Sequence, residues 1–335
     1  MPLKLINVAV SNMPGMPLTD AQKQQIQAVS PRIRLQDIGD LIDGERQGNA
    51  DAGRKLDEVL AGIEVFFGAP PPRNIVSRSP KLRWIQSPLA GTDQFLTPDV
   101  VASPVILTKA RIHDQQISET VFCGMLMLAR HSLEHYRAQQ QKQWVRVDPT
   151  ILHSKTIGIL GLGNIGQAVA RIAKAFGMKV LATKAHPEGK YKNVDVVYPP
   201  GSLREILPQC DFLAIILPIT AATKNLIGAA ELKMMKPTAY IINVARGGIV
   251  DEEALAQALW EKWIAGAAFD VFASDPGPLP ADSKLWDLPN IIITPHNAGH
   301  RADYAELVTA QFIRNLKRYV NRKPLQCVVD KKLGY

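Results

Sequence analysis

The chain has 335 residues, 46% hydrophobic and 21% charged, which is ordinary for a globular protein and long enough that two domains are expected. The formal charge of +8 comes from scattered lysines and arginines with no basic run interleaved with aromatics, so it reads as solubility and an attraction for small anions, not as nucleic-acid binding. No apolar run approaches membrane-spanning length, and Cys123, Cys210 and Cys327 form no CxxC pair and lie in apolar stretches, pointing to buried thiols in a reducing cytoplasm without disulfides or a metal site.

From the N-terminus, residues 5–10, 32–38, 65–68, 82–86 and 105–108 are candidate strands. The first lies in MPLKLINVAV, which is too short and interrupted for a signal peptide. Helical stretches at 19–29 and 51–61 fall between them, implying a small parallel α/β domain. The polar run 43–54 reads as a surface insertion, and Pro70-Pro71-Pro72 as a stiff turn after a strand. Ser87-Pro88-Leu89-Ala90-Gly91-Thr92-Asp93 follows the strand with Trp84. At a strand's carboxyl end it is either a substrate-contacting loop or an ordinary turn. Residues 117–141 then form one long helical pattern whose stripe of Val121, Phe122, Met125, Leu126, Leu128 and Ala129 suits a core or a subunit interface.

The rest of the chain is organised around residues 156–184, TIGILGLGNIGQAVARIAKAFGMKVLATK. An apolar run from Ile157 to Leu160 reads as a buried strand and feeds into Gly161-x-Gly163-x-x-Gly166. Ala168, Val169, Ile172, Ala173 and Phe176 recur at helical spacing, and a second strand follows at 179–183. Strand, glycine turn, helix, strand is the context a dinucleotide fingerprint requires. The first glycine allows the tight turn, the second lets a pyrophosphate approach, and the third lets helix pack on strand, with helix N-terminal amides facing the phosphates. Further strands at 194–198, 211–217, 239–244, 265–270 and 291–294 alternate with helices at 202–209, 223–236 and 251–261, the pattern of a doubly wound sheet. A final helix at 301–321 and the tail have no nucleotide-domain strand to join and return to the first domain.

Three later stretches lie at or just beyond strand carboxyl ends. Asn243-Val244-Ala245-Arg246-Gly247-Gly248 carries an arginine at the tip of a glycine turn, either a carboxylate ligand or a surface residue. Asp270 to Pro276 supplies carboxylates, and Thr294-Pro295-His296-Asn297-Ala298-Gly299 a histidine. Reduction of a 2-oxo acid needs a cation for the carboxylate, a proton donor at the carbonyl oxygen and a nicotinamide on one face. Arg246 and His296 fill the first two roles, and Asp275 would fix the imidazole tautomer and stabilise the imidazolium.

On the segments LRWIQSPLAGTD, the glycine fingerprint, NVARGGIVDEEAL, AFDVF, NIIITPHNAG and RYVNRKPLQCVVD, in that order, the chain resembles the D-specific 2-hydroxy acid dehydrogenase family through most of its length. The resemblance implies a Rossmann-type doubly wound nucleotide domain at 111–300 and a smaller flavodoxin-like α/β substrate domain at 1–110 and 301–335, with a cleft between them. It implies that Arg246 binds and polarises the substrate, that His296 is the acid/base and that Leu89, Ala90 and Gly91 hold the carboxylate through their backbone. Asp270 would hydrogen-bond the nicotinamide carboxamide. The implied coenzyme contacts are Gly161, Gly163, Asn164, Ile165, Gly166, Lys184, Pro218, Thr223, Val244, Ala245, Asp270, His296 and Gly299. A homodimer built on the nucleotide domain is implied as well, with a small 2-oxo or 2-hydroxy acid as partner and neither membrane nor nucleic acid.

Two departures stand out. Where the family usually has a Glu-Pro pair, this chain has Asp275-Pro276, one methylene shorter, followed by an extra Gly-Pro. Where NAD-binding members place an aspartate for the ribose 2′-hydroxyl, it has Lys184, with His186, Lys190 and Lys192 nearby and Glu188 in the same loop. Removing a carboxylate and adding a cation both favour a 2′-phosphate, so NADP is expected in preference to NAD. The expected activity is reduction of glyoxylate, hydroxypyruvate or pyruvate to the D-2-hydroxy acid. The alternatives are phosphoglycerate dehydrogenase, many of which carry a further regulatory domain, and a dinucleotide-sensing regulator of the co-repressor type.

Overall fold

The computed structural model describes residues 4–12 and 17–334; residues 1–3, 13–16 and 335 lie outside the described residues. The chain divides into two compact units, one made of residues up to Ile112 together with those from Arg301 onward, the other of His113–His300.

The first unit is built on a parallel sheet of β1 (Ile6–Val10), β2 (Ile33–Asp37), β3 (Val65–Phe67), β4 (Trp84–Gln86) and β5 (Ile106–Thr108), in the order β2-β1-β3-β4-β5. That is the flavodoxin-like order, and its central strands β1, β3 and β4 are buried on both faces, whereas the edge strand β2 is largely exposed. Successive side chains point to opposite faces. Phe66 and Ile85 meet Leu56, Leu60 and Phe95 on one side, and Phe67 and Trp84 meet Phe312 on the other, with Phe67 and Phe312 stacked at 4.3 Å. Each such aromatic contributes about 1.5–3 kcal/mol by leaving water. Phe312 belongs to helix Tyr304–Val320, so the last helix covers the face of a sheet begun three hundred residues earlier.

The run at 43–54 is not an insertion. It spans the junction of two helices, Gly39–Arg46 and Ala50–Leu60, which bury Ile42, Leu56 and Leu60. Gly48 at φ 84° ends the first, and Asn49 caps the second by accepting from the Asp51 and Ala52 N–H groups.

The second unit carries seven parallel strands: β6 (Thr156–Leu160), β7 (Lys179–Thr183), β8 (Val196–Tyr198), β9 (Phe212–Ile215), β10 (Tyr240–Asn243), β11 (Gly266–Phe269) and β12 (Ile291–Ile293). Their order, β12-β11-β10-β9-β6-β7-β8, is the doubly wound Rossmann arrangement, in which the direction of winding reverses between β6 and β9. The crevice outside the carboxyl ends of those two strands is where such sheets bind ligands.

Two expected helices are shorter here. The pattern at 117–141 splits into Asp114–Ala129, which buries Val121, Phe122, Met125, Leu128 and Ala129, and Ser132–Gln140, which buries nothing; His131, at φ 53°, breaks them. The helix expected over 223–236 is confined to Ala229–Met234, because Asn225 at φ 50° and the Thr223 hydroxyl, bonded to the Pro218 carbonyl at 2.7 Å, hold the preceding residues in turns. All three thiols are unpaired, but Cys210 alone is fully buried. Cys327 is half-buried, and Cys123 is exposed because it falls on the outer face of its helix, between buried Phe122 and Gly124. Among the described residues no helix is long and apolar enough to cross a membrane.

Candidate active site

The glycine turn follows β6 at the point where the sheet reverses. Gly161 has φ 105°, and a Cβ there would lie 2.5 Å from the Ile216 carbonyl oxygen, so the turn is pressed against the chain leaving β9. A Cβ on Gly166 would come within 2.2 Å of the Gly161 oxygen, which is how helix Asn164–Ala175 reaches the turn. Gly163, by contrast, faces open space, with nothing within 4 Å of a Cβ built on it. That clearance, beside the N-terminus of a twelve-residue helix that begins with Asn164 and Ile165, suits a pyrophosphate. These residues therefore fit a dinucleotide.

At the end of β7, the Lys184 ammonium donates to the Leu162 carbonyl in the glycine turn at 2.9 Å and lies 5.2 Å from the centre of the Tyr191 ring. The Tyr191 hydroxyl closes the loop by donating to the His186 carbonyl at 2.7 Å. His186, Lys190 and Lys192 are exposed around it, and Glu188 also faces solvent. Beyond β9, Thr223 accepts from the Thr220 N–H at 2.8 Å while donating to Pro218, which fixes that loop.

Three turns follow the adjacent strands β10, β11 and β12, and the structure joins them. After β10, the Ala245 N–H donates to the Asn243 side chain at 3.1 Å, the Asn243 amide returns to the Arg246 carbonyl at 3.2 Å, and Arg246 Nη1 donates to the Ala245 carbonyl at 2.8 Å. Val244 and Ala245 are buried beneath this turn. Gly247 then lies against the turn after β11, where a Cβ would fall 1.8 Å from the Phe272 oxygen and 2.4 Å from the Ala273 nitrogen. Asp275, at the end of that turn, reaches the third: its Oδ2 is 3.3 Å from His296 Nδ1. The His296 side chain is 48% exposed and that of Asp275 22%, so the ring is open to a ligand while its partner is sheltered.

Asp270 has a structural task that sequence reasoning did not assign. It is buried, and its Oδ1 accepts from Thr294 Oγ1 at 2.5 Å and from the Asn297 N–H at 3.0 Å, while Oδ2 accepts from the Ala298 N–H at 2.9 Å. Its carbonyl takes the His296 N–H at 2.8 Å, holding the histidine backbone at φ 52°. Charge-assisted bonds of this kind are about twice as strong as neutral ones. Oδ2, with one donor, retains acceptor capacity. Gly299 closes the same turn by accepting from the Gln116 side chain at 3.2 Å.

In the first unit, the loop after β4 is held on several sides. Gln86 Nε2 donates to the Ser87 carbonyl at 2.9 Å, the Tyr304 hydroxyl donates to the Pro88 carbonyl at 2.7 Å, and Ala110 N–H donates to the Leu89 carbonyl at 3.1 Å. The Leu89 N–H is taken by Ser87 Oγ at 3.0 Å. The N–H groups of Ala90 and Gly91 have no hydrogen-bond partner among the described residues.

The family described as D-isomer specific 2-hydroxyacid dehydrogenase, NAD binding domain, matches residues 122–298. A glyoxylate reductase of Thermococcus gammatolerans is 34% identical over 281 residues, covering 77% of this chain and 79% of the relative. A glyoxylate/hydroxypyruvate reductase B of Pectobacterium carotovorum subsp. carotovorum is 37% identical over 272 residues, 76% of this chain and 82% of the relative. Among solved structures, an NADPH-dependent glyoxylate/hydroxypyruvate reductase of Sinorhizobium meliloti, in complex with NADP and sulfate, superposes with a TM-score of 0.81 at 26% identity, covering 98% of this chain and 100% of that one.

Proposed function

This chain belongs to the D-isomer-specific 2-hydroxyacid dehydrogenases, NAD(P)-dependent oxidoreductases acting on a CH–OH group, and from that premise we propose that it reduces glyoxylate, hydroxypyruvate or pyruvate to the D-2-hydroxy acid with NADPH as the preferred donor. The observation that carries this reading is the 3.3 Å contact between His296 and Asp275, built onto the same set of turns as Arg246. The coenzyme, when bound, supplies the hydride. Arg246 pairs with the substrate carboxylate and polarises the carbonyl. With Asp275 at Nδ1, His296 is left with Nε2 to protonate the carbonyl oxygen as it takes on negative charge, and Asp275 stabilises the imidazolium that carries the proton in. The first unit is assigned as the substrate-binding domain on its Leu89-Ala90-Gly91 loop, and the second as the dinucleotide-binding domain on its glycine turn. Asp270 keeps an acceptor for the nicotinamide amide.

Lys184 supports the choice of NADPH. Its ammonium is already held over the glycine turn by Leu162 and Tyr191, among further exposed bases, where an aspartate would repel a 2′-phosphate. The S. meliloti relative, by its name NADPH-dependent, agrees with that choice. Exposed apolar side chains in the second unit, Tyr136, Val145, Ile151 and above all Trp144 at 94%, support a homodimer formed through this region. Unpaired cysteines suit the cytoplasm.

Steady-state oxidation of NADPH and NADH with glyoxylate, hydroxypyruvate, pyruvate and bulkier 2-oxo acids tests the proposal. A higher kcat/KM with NADPH and a small 2-oxo acid is expected. Tight NADPH binding with no turnover across the panel would instead mark a dinucleotide-sensing regulator.

A further inference from the structure

Helix Glu252–Trp260 begins beside the site with three consecutive acids that have different tasks. Asp251 caps the helix by accepting from the Ala254 N–H at 3.1 Å. Glu253 is exposed and meets Lys284 at 3.5 Å. Glu252 does neither. It is half-buried, and its Oε1 accepts from the Ala273 N–H at 2.5 Å, in the turn after β11. Gly247 lies against the same peptide, where a Cβ built on it would fall 1.8 Å from the Phe272 oxygen. The turn then closes on itself, with Asp275 N–H on the Phe272 carbonyl at 3.0 Å and Asp275 Oδ2 accepting from the Phe272 N–H at 3.3 Å. The segment that presents Asp275 to His296 is thus fastened from outside by a carboxylate with no other hydrogen bond among the described residues.

We propose that Glu252 is a positioning residue of the acid–base pair, pinning the 272–275 turn so that Asp275 reaches His296 and placing a second negative charge behind that carboxylate. The inference rests on the reading of His296 as proton donor. Burial pushes the Glu252 carboxyl upward; the Ala273 hydrogen bond opposes this, and the charges of Asp275, Asp251 and Glu253 add to it. Asp275 is the charged group facing Glu252 from the turn, Asp251 and Glu253 are those on its own helix, and Lys284 stands beyond Glu253.

Two substitutions in the full chain separate fastening from charge. Glu252→Gln keeps an oxygen for the Ala273 N–H and removes the charge, whereas Glu252→Ala removes both. The readouts are an NMR titration of the His296 ring and steady-state rates with NADPH and glyoxylate. Both variants should titrate the ring at lower pH than the unsubstituted chain. Glu252→Ala should also lose roughly tenfold in kcat with the KM for NADPH unchanged, while Glu252→Gln stays within about twofold of the unsubstituted chain. A ring titration unmoved in Glu252→Gln, or an unchanged kcat in a folded Glu252→Ala, overturns the proposal. The glutamine variant decides alone if the alanine variant does not fold. Should the chain reduce no 2-oxo acid, the functional reading fails while the ring titration still tests the role of Glu252.

Discussion

Substituting Gly247 by alanine tests how the acid–base pair is assembled without touching any group that performs chemistry. The added Cβ would lie 1.8 Å from the Phe272 oxygen, about 1.2 Å inside the 3.0 Å that real Cβ contacts respect. Its neighbour is backbone, so no side-chain rotation relieves the overlap. Either the Arg246 turn or the 272–275 turn must retreat, and a retreat of that size would carry Asp275 from 3.3 Å to beyond hydrogen-bond reach of His296. Overpacking of this kind costs about 1–3 kcal/mol in stability. A misplacement of roughly 1 Å costs on the order of 10²-fold in rate. Steady-state kcat with NADPH and glyoxylate should fall by that factor, while NADPH affinity, followed by coenzyme fluorescence, holds because the glycine turn lies after β6. An unchanged kcat in Gly247→Ala would refute the argument that this contact sets the position of Asp275.

The other substitutions address charge and burial. Lys184→Asp replaces an attraction for a 2′-phosphate by a repulsion of similar size, and about 1.5–3 kcal/mol corresponds to a roughly ten- to hundredfold shift of the kcat/KM ratio toward NADH. An unchanged ratio would mean that Lys184 does not read the ribose. Asp275→Asn deprives the imidazolium of its counter-charge; because reduction consumes protonated histidine, the alkaline limb of the kcat/KM profile should move to lower pH, with kcat down by about 10–10²-fold. For the thiols, Cys123 should react with a disulfide reagent in the native protein and Cys210 only after unfolding. Burial pushes the Cys210 thiol from its ordinary 9.0 up to about 12. Across that window the unfolded thiol ionises while the folded one stays protonated, so stability falls as pH rises, and Cys210→Ala should flatten the decline.

The sheets were readable in the sequence because their strands are short apolar runs closed by turn residues, and a strand buried on both faces needs nothing else. The glycine turn was readable because each glycine answers a local demand, and at Gly161 and Gly166 a Cβ would fall 2.5 and 2.2 Å from a carbonyl oxygen. Arg246, Asp275 and His296 were visible as residue types at strand ends, although only the register of β10, β11 and β12 brings them to one edge. Local pattern failed where a single backbone angle decides. His131 and Asn225 adopt positive φ and break helices that the apolar spacing alone would continue. The run at 43–54 looked like an insertion because its two helices bury few apolar residues. Contacts across many residues left no local trace. Glu252 reads as an ordinary acid complementing a helix N-terminus, and nothing in the DEEAL segment announces Ala273. Asp270 read as a coenzyme ligand, while its bonds to Thr294, Asn297 and Ala298 depend on the pairing of β11 with β12.

Single-turnover reduction by the His296→Asn variant tests the central claim most directly. Asparagine can still donate a hydrogen bond but cannot deliver a proton, so NADPH should bind with unchanged affinity while its oxidation by glyoxylate slows by about 10²–10⁴-fold. NADPH oxidation at the unsubstituted rate in that variant would contradict the assignment of His296 as the proton donor.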